Sequence, residues 1–92
     1  MELIFRTAFF REFDKVKNKE VLNSLKNIFI RIKKAETMDE IGNLKKLRHY
    51  THYYRIKIKI SDKHDYRLVL MIRKNKVWVE SIVLVKKVFY KQ

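Results

Sequence analysis

Ninety-two residues fit one domain, 1–92, and 23 Lys and Arg against 10 Asp and Glu give it a formal charge of +13. An apolar fraction of 47% is that of a globular chain, so the charge does not signal disorder. With no Cys there are no disulfides, thiol nucleophiles or Cys-bound zinc, and no apolar run reaches the ~18 residues of a membrane-spanning helix. Met1-Glu2-Leu3-Ile4-Phe5 is too short and wrongly charged for a signal peptide, so a cytoplasmic domain with a polyanionic or acidic partner is expected.

Leu3-Ile4-Phe5 predicts a first strand. Thr7 stands as an N-cap, with Phe9, Phe10, Phe13 and Val16 following at helical spacing. Asn18 predicts a second cap, ahead of an apolar stripe through Val21, Leu22, Leu25, Ile28, Phe29 and Ile32. Arg31, Lys33 and Lys34 fall in the last turn, where positive charge opposes the helix dipole. Residues 36–46 hold the one glycine, Gly42, and break the helical pattern. From Tyr53 the period becomes two: Ile56, Ile58 and Ile60 point one way, Arg55, Lys57 and Lys59 the other. Turns at Ser61–Asp65 and Arg73–Lys76 bound a strand from Tyr66 to Ile72, and Asn75 suits left-handed backbone. Val77 to Val85 is nearly continuous in apolar residues, the mark of a central strand. This order predicts an α+β domain: an N-terminal strand, two antiparallel helices, then a three-stranded antiparallel meander forming one twisted sheet packed on the helices.

The charge is unevenly placed. Residues 1–46 carry 11 basic and 7 acidic side chains, residues 47–92 carry 12 and 3, and all five tyrosines and Trp78 lie in the second half. Cations interleaved with aromatic rings suit nucleic acid, pairing with phosphates and stacking on bases. No Gly-rich phosphate loop or helical His-x-x-x-His occurs, the carboxylates are scattered, and His49 and His52 lack a third ligand, so neither metal nor cofactor is expected. Along Arg55-x-Lys57-x-Lys59, same-face neighbours stand roughly 7 Å apart, near the spacing of successive phosphates. Crowded like charges also lower a lysine pKa, which would let Lys57 act as a general base where an arginine cannot. A solvated lysine-rich face that deters edge-to-edge aggregation has the same pattern, and the residues alone leave both readings open.

Asn43-Leu44-Lys45-Lys46-Leu47-Arg48, then Tyr54-Arg55-Ile56-Lys57-Ile58, then Asp65-Tyr66-Arg67-Leu68-Val69 resemble, in that order and at fitting spacing, the core of RelE-family toxins. Phe5, Phe9, Phe13 and the stretch 35–41 resemble family members too. Val85-Lys86-Lys87-Val88-Phe89-Tyr90 is similar to the family's closing His-Arg-Lys-x-x-Tyr, with Val85 for His, Lys86 for Arg, and His49 where a glycine is usual. Members are toxins of type II toxin–antitoxin pairs; most cleave mRNA in the ribosomal A site without metal, and a related branch inhibits DNA gyrase. The resemblance implies attack of the RNA 2′-OH on the adjacent phosphate. Lys57 would then be the base, Arg55 a phosphate ligand and Arg67 the transition-state cation. Lys86 would be the acid or a phosphate contact, and Tyr90 would stack on a base or orient the 2′-OH. Lys45, Lys46 and Arg48, with Lys59 and Lys87, would bind ribosomal or messenger RNA backbone. The implied partners are a cognate antitoxin with an acidic contact region, the ribosome and mRNA, with no membrane and no cofactor.

Overall fold

The computed structural model describes residues 1–86. Strand β1 (Glu2–Phe5) is held to the sheet as far as Arg6, whose N–H donates to the Val79 carbonyl at 3.0 Å. That bond keeps Arg6 extended, so Arg6 rather than Thr7 is the N-cap of α1 (Thr7–Phe13), and no side chain caps it. The helix ends at Phe13; Val16 enters the core from the following turn, with its N–H on the Phe13 carbonyl. Helix α2 (Lys19–Lys34) starts as its sequence predicts, the Asn18 side chain accepting from the Val21 N–H at 3.0 Å. Its stripe buries Val21, Leu25, Ile28 and Ile32.

After α2 comes a 3-10 turn, Met38–Glu40, in which the Glu40 carboxylate accepts the Glu36 and Thr37 N–H groups at 3.0 Å each. Gly42 then takes a left-handed φ of 74°. Next is β2 (Lys45–Lys46), a strand that the sequence pattern does not announce: two residues show no period, and only pairing with β3 (Tyr53–Ser61) defines it. With β4 (His64–Arg73) and β5 (Lys76–Leu84) the sheet has five strands, in the order β1-β5-β4-β3-β2. The meander is thus one short strand longer than expected. The β1–β5 pair is parallel and the others antiparallel. β5 lies inside the sheet, as its apolar run implies.

Two features restore the register that loop lengths obscure. The β3–β4 turn is Asp62-Lys63 alone, tighter than Ser61–Asp65, because the ladder steps between Lys59 and Ser61 and resumes with Ser61 opposite His64. Asp65 is therefore a strand residue. In β5, Val79 faces Leu70 while Ser81 faces Val69, leaving Glu80 as a bulge. The bulge moves the buried positions from Val77 and Val79 to Ile82, which hides the period of two. The β4–β5 turn places Lys74 and Asn75 at φ 51° and 63°, a pair of left-handed residues that matches strand twist.

Side chains opposite each other on paired strands share a face. One face buries Ile56, Ile58, Tyr66, Leu68, Leu70, Ile72, Val77, Val79 and Ile82 against Phe9, Val16, Val21, Leu25, Ile28, Ile32, Ala35 and Ile41. Phe5, Phe9, Phe13 and Phe29 knit α1, α2 and β1 together, with ring centroids 5.2–6.1 Å apart. On the opposite, open face no apolar side chain is buried. No described helix is long and apolar enough to cross a membrane.

Candidate nucleic-acid interface

The open face is best read as rows across the strands, about 7 Å apart along the chain. One row pairs Lys57 with Arg67, which faces Val83 in turn. The next runs from Lys45 through Arg55 to Val69 and Ser81. On the other side of the Lys57 row, Lys59 stands opposite Asp65. The tight turn and the step at Ile60 keep Arg67 directly across from Lys57, so the interval between Lys59 and Asp65 does not displace it. Four cations, Lys45, Arg55, Lys57 and Arg67, thus share one patch. Paired positions lie ~5 Å apart at Cα, far closer than ungrouped surface charges.

Two cations near this patch carry counter-charges. Arg67, 23% exposed at its side chain, donates through Nη1 to Asp65 Oδ1 and to the Tyr66 carbonyl at 3.2 Å. Asp65 itself is only 3% exposed. The hydrogen bond from Arg67 holds its carboxyl below the usual carboxylate range against the opposing effect of burial, and the charges of Arg67, Lys59 and Lys57 add to this. Lys59 Nζ lies 3.3 Å from Asp62 Oδ1. Among the described residues, Lys45, Arg55 and Lys57 form no ion pair. A polyanion would therefore meet three cations outside any ion pair and one arginine already oriented by a buried acid.

Beside this patch β3 is an exposed edge. β2 pairs only with Tyr54 and Arg55, so the outer backbone from Ile56 onward has no strand partner. A groove of about 300 Å³ runs along it, walled by Asn27 and Arg31 of α2, with Lys57 and Lys59 on its lip.

The other predicted residues are dispersed. Lys46 pairs across from Tyr54 and so faces away from Lys45. Arg48 is exposed in the 47–52 loop, which the Leu47 N–H closes onto the Tyr53 carbonyl at 2.9 Å. In that loop His49 and His52 both take φ 68°, a conformation a glycine reaches without strain. Lys86 is exposed just past β5, next to Val85, whose N–H donates to the Asp65 carbonyl at 2.7 Å. Lys87 and Tyr90 lie outside the described residues. Tyr66 is a core residue on the helix side. Glu80 bonds Arg6 at 3.1 Å, leaving Arg67 to Asp65.

Sequence reasoning places Lys45 among the RNA-backbone cations rather than in this cluster, and offers Asp65, with Glu80, only as a surface partner of Arg67 rather than as a buried acid. Nothing local could reveal Lys45, which joins Arg55 only through pairing, but Asp65 stands two before Arg67 and so shares its face. Among the described residues no group of three or more His, Asp or Glu could hold a metal ion.

Fold and surface together define a small basic α+β domain with a cationic open sheet. No protein-family model matches the sequence, and no curated protein matches it. Solved structures do. A chain of the RelB–RelE antitoxin–toxin complex of Methanococcus jannaschii superposes with a TM-score of 0.74 at 16% identity, covering 88% of each chain. The isolated RelE toxin of E. coli gives 0.67 at 22% identity, over 95% of this chain and 86% of that one. A conserved hypothetical protein of Helicobacter pylori gives 0.56 at 20%, over 88% and 90%. The chain has the fold of the two RelE structures, and the resemblance read from its motifs holds at the level of the fold.

Proposed function

We propose that this chain is the toxin of a type II toxin–antitoxin pair and cleaves mRNA on the ribosome without metal. The observation that carries the reading is the Lys57–Arg67 row flanked by Arg55 and Lys45, on the open face of a RelE-like sheet. The 2′-oxygen of the substrate forms a bond to the adjacent phosphorus and the P–O5′ bond breaks, leaving a 2′,3′-cyclic phosphate. Lys57 takes the 2′-OH proton. Arg55 and Arg67 hold the phosphate oxygens as negative charge grows on them. Lys86, next to the strand end bonded to Asp65, gives its proton to the departing 5′-oxygen, and Tyr90 orients the 2′-OH or stacks on a base. Asp65 fixes the guanidinium of Arg67 before substrate arrives. Lys46, Arg48, Lys59 and Lys87 contact RNA backbone around the site.

The antitoxin partner is an acidic segment. The exposed β3 edge and the groove between Arg31 and Lys59 support an added strand there, with main-chain bonds for affinity and carboxylates against the lysines. A cytoplasmic location follows from the same reading.

Induced expression with mapping of mRNA 5′ ends tests the proposal. Wild type should produce discrete cleavage in translated frames, and Lys57→Ala and Arg67→Ala should each lower it by about 10²–10⁴-fold. Cleavage that persists in both variants removes the site assignment. Intact mRNA accompanied by inhibited DNA gyrase moves the chain to the gyrase-directed branch.

A further inference from the structure

One more row of the open face takes no part in the chemistry above. Tyr53 faces Met71, Met71 faces Trp78, and Trp78 faces Ile4, an apolar and aromatic band across four strands. All four side chains are partly exposed. Tyr50, 62% exposed on the neighbouring loop, sets its ring edge-on to Tyr53 with centroids 6.1 Å apart and planes at 69°. What distinguishes the band from an ordinary sheet surface is its flanks. On one side lie Lys45 and Arg55; on the other, Arg73 pairs with Lys76. The carboxylates nearby are accounted for: Glu80 bonds Arg6, and Glu2 stands across from Lys76.

Rings between two rows of cations suit single-stranded nucleic acid, whose bases need π-faces and whose phosphates need positive charge at regular intervals. An apolar protein partner would find those flanking cations a desolvation cost. We infer that Tyr53, Tyr50 and Trp78, the last with the Arg6 guanidinium 5.9 Å over its ring, form a base-stacking platform for a nucleotide flanking the one held at Lys57 and Arg67. Tyr53 is four residues from Lys57 along β3, about 13 Å, the reach of about two nucleotides of extended strand. The inference deepens the RNA reading of the same face and rests on it. The recognition is tolerant of sequence, since every base offers a ring.

The test uses the full chain without ribosomes and a 2′-O-methyl hexaribonucleotide of mixed sequence, which the proposed reaction cannot cleave. Anisotropy of the labelled oligonucleotide reads affinity, and emission of Trp78, the one tryptophan, reads stacking. Wild type should bind with quenched emission. Tyr53→Leu and Tyr50→Leu should each weaken binding by about 5- to 100-fold with the salt dependence unchanged, and Tyr53→Phe should restore it. Tyr50→Leu lies on an exposed loop and keeps the test valid if Tyr53→Leu does not fold. Affinities within about two-fold of wild type in both leucine variants overturn the platform. So does unchanged Trp78 emission on binding. So does a loss of thermal stability with RNA affinity intact, which would assign the row to packing within the chain. If mRNA stays intact on ribosomes while the tyrosine effects persist, the nuclease reading fails and the platform stands.

Discussion

Asp65 does at one position what a lone surface acid cannot. Its carboxylate is buried, yet it remains ionised because Arg67 donates to it and three cations surround it. A carboxyl held below its unfolded value stabilises the fold above that value, and the contribution is lost as pH falls through the folded one. Asp65→Asn should therefore be less stable than wild type at neutral pH, and the gap should close below about pH 4. Urea unfolding at a series of pH values measures it; a gap that is constant with pH would mean that the ion pair contributes no stability. A second position carries strain. Lys74 and Asn75 both adopt left-handed backbone, and lysine pays a steric cost there that Asn and Gly largely avoid. The double change Lys74→Asn, Asn75→Gly should stabilise by about 1 kcal/mol, seen as a rise of roughly 4–8 °C in thermal midpoint.

Among the elements, α2 is the one whose boundaries and buried face were both legible in its own residues. Asn18 satisfies an otherwise orphaned amide, and Asn18→Ala should cost about 1 kcal/mol in urea unfolding. The short elements behaved differently. α1 takes its start from the sheet bond at Arg6, and β2 exists only because β3 pairs with it. Bulges explain the rest: at Glu80 and Ile60 the ladder skips a residue, so the chain's alternation and the sheet's faces fall out of step. The turn is shorter than the stretch Ser61–Asp65 for that reason, since its polar residues look like loop while the ladder carries Ser61, His64 and Asp65 into strand.

For the whole molecule, the consequence is an asymmetric sheet. One face packs on the helices; the other gathers cations from three strands and leaves them open to a polyanion. Binding to RNA should fall steeply with salt, because each phosphate contact releases counterions. Lys57→Ala should weaken binding of any sequence and reduce the slope of log K against log salt by about one. Filter binding between roughly 50 and 200 mM salt checks this. An unchanged slope would take Lys57 out of the phosphate path. An acidic segment seated on the β3 edge would compete for the same lysines, so antitoxin and RNA should exclude each other.

The sequence by itself determined the fold class, the order of the long elements, the cap and stripe of α2, and the shared face of Arg55, Lys57 and Lys59. Those follow from local spacing: 3.6 residues per helical turn and two per strand repeat are written in the chain. Only the tertiary structure decided that Arg67 stands opposite Lys57, that Lys45 joins Arg55, that Asp65 is buried beneath the patch, and that the Tyr53–Trp78 row lies beside it. Pairing between strands sets those relations. Register depends on turn length and on where a bulge absorbs a residue, and neither leaves a periodic trace in the sequence.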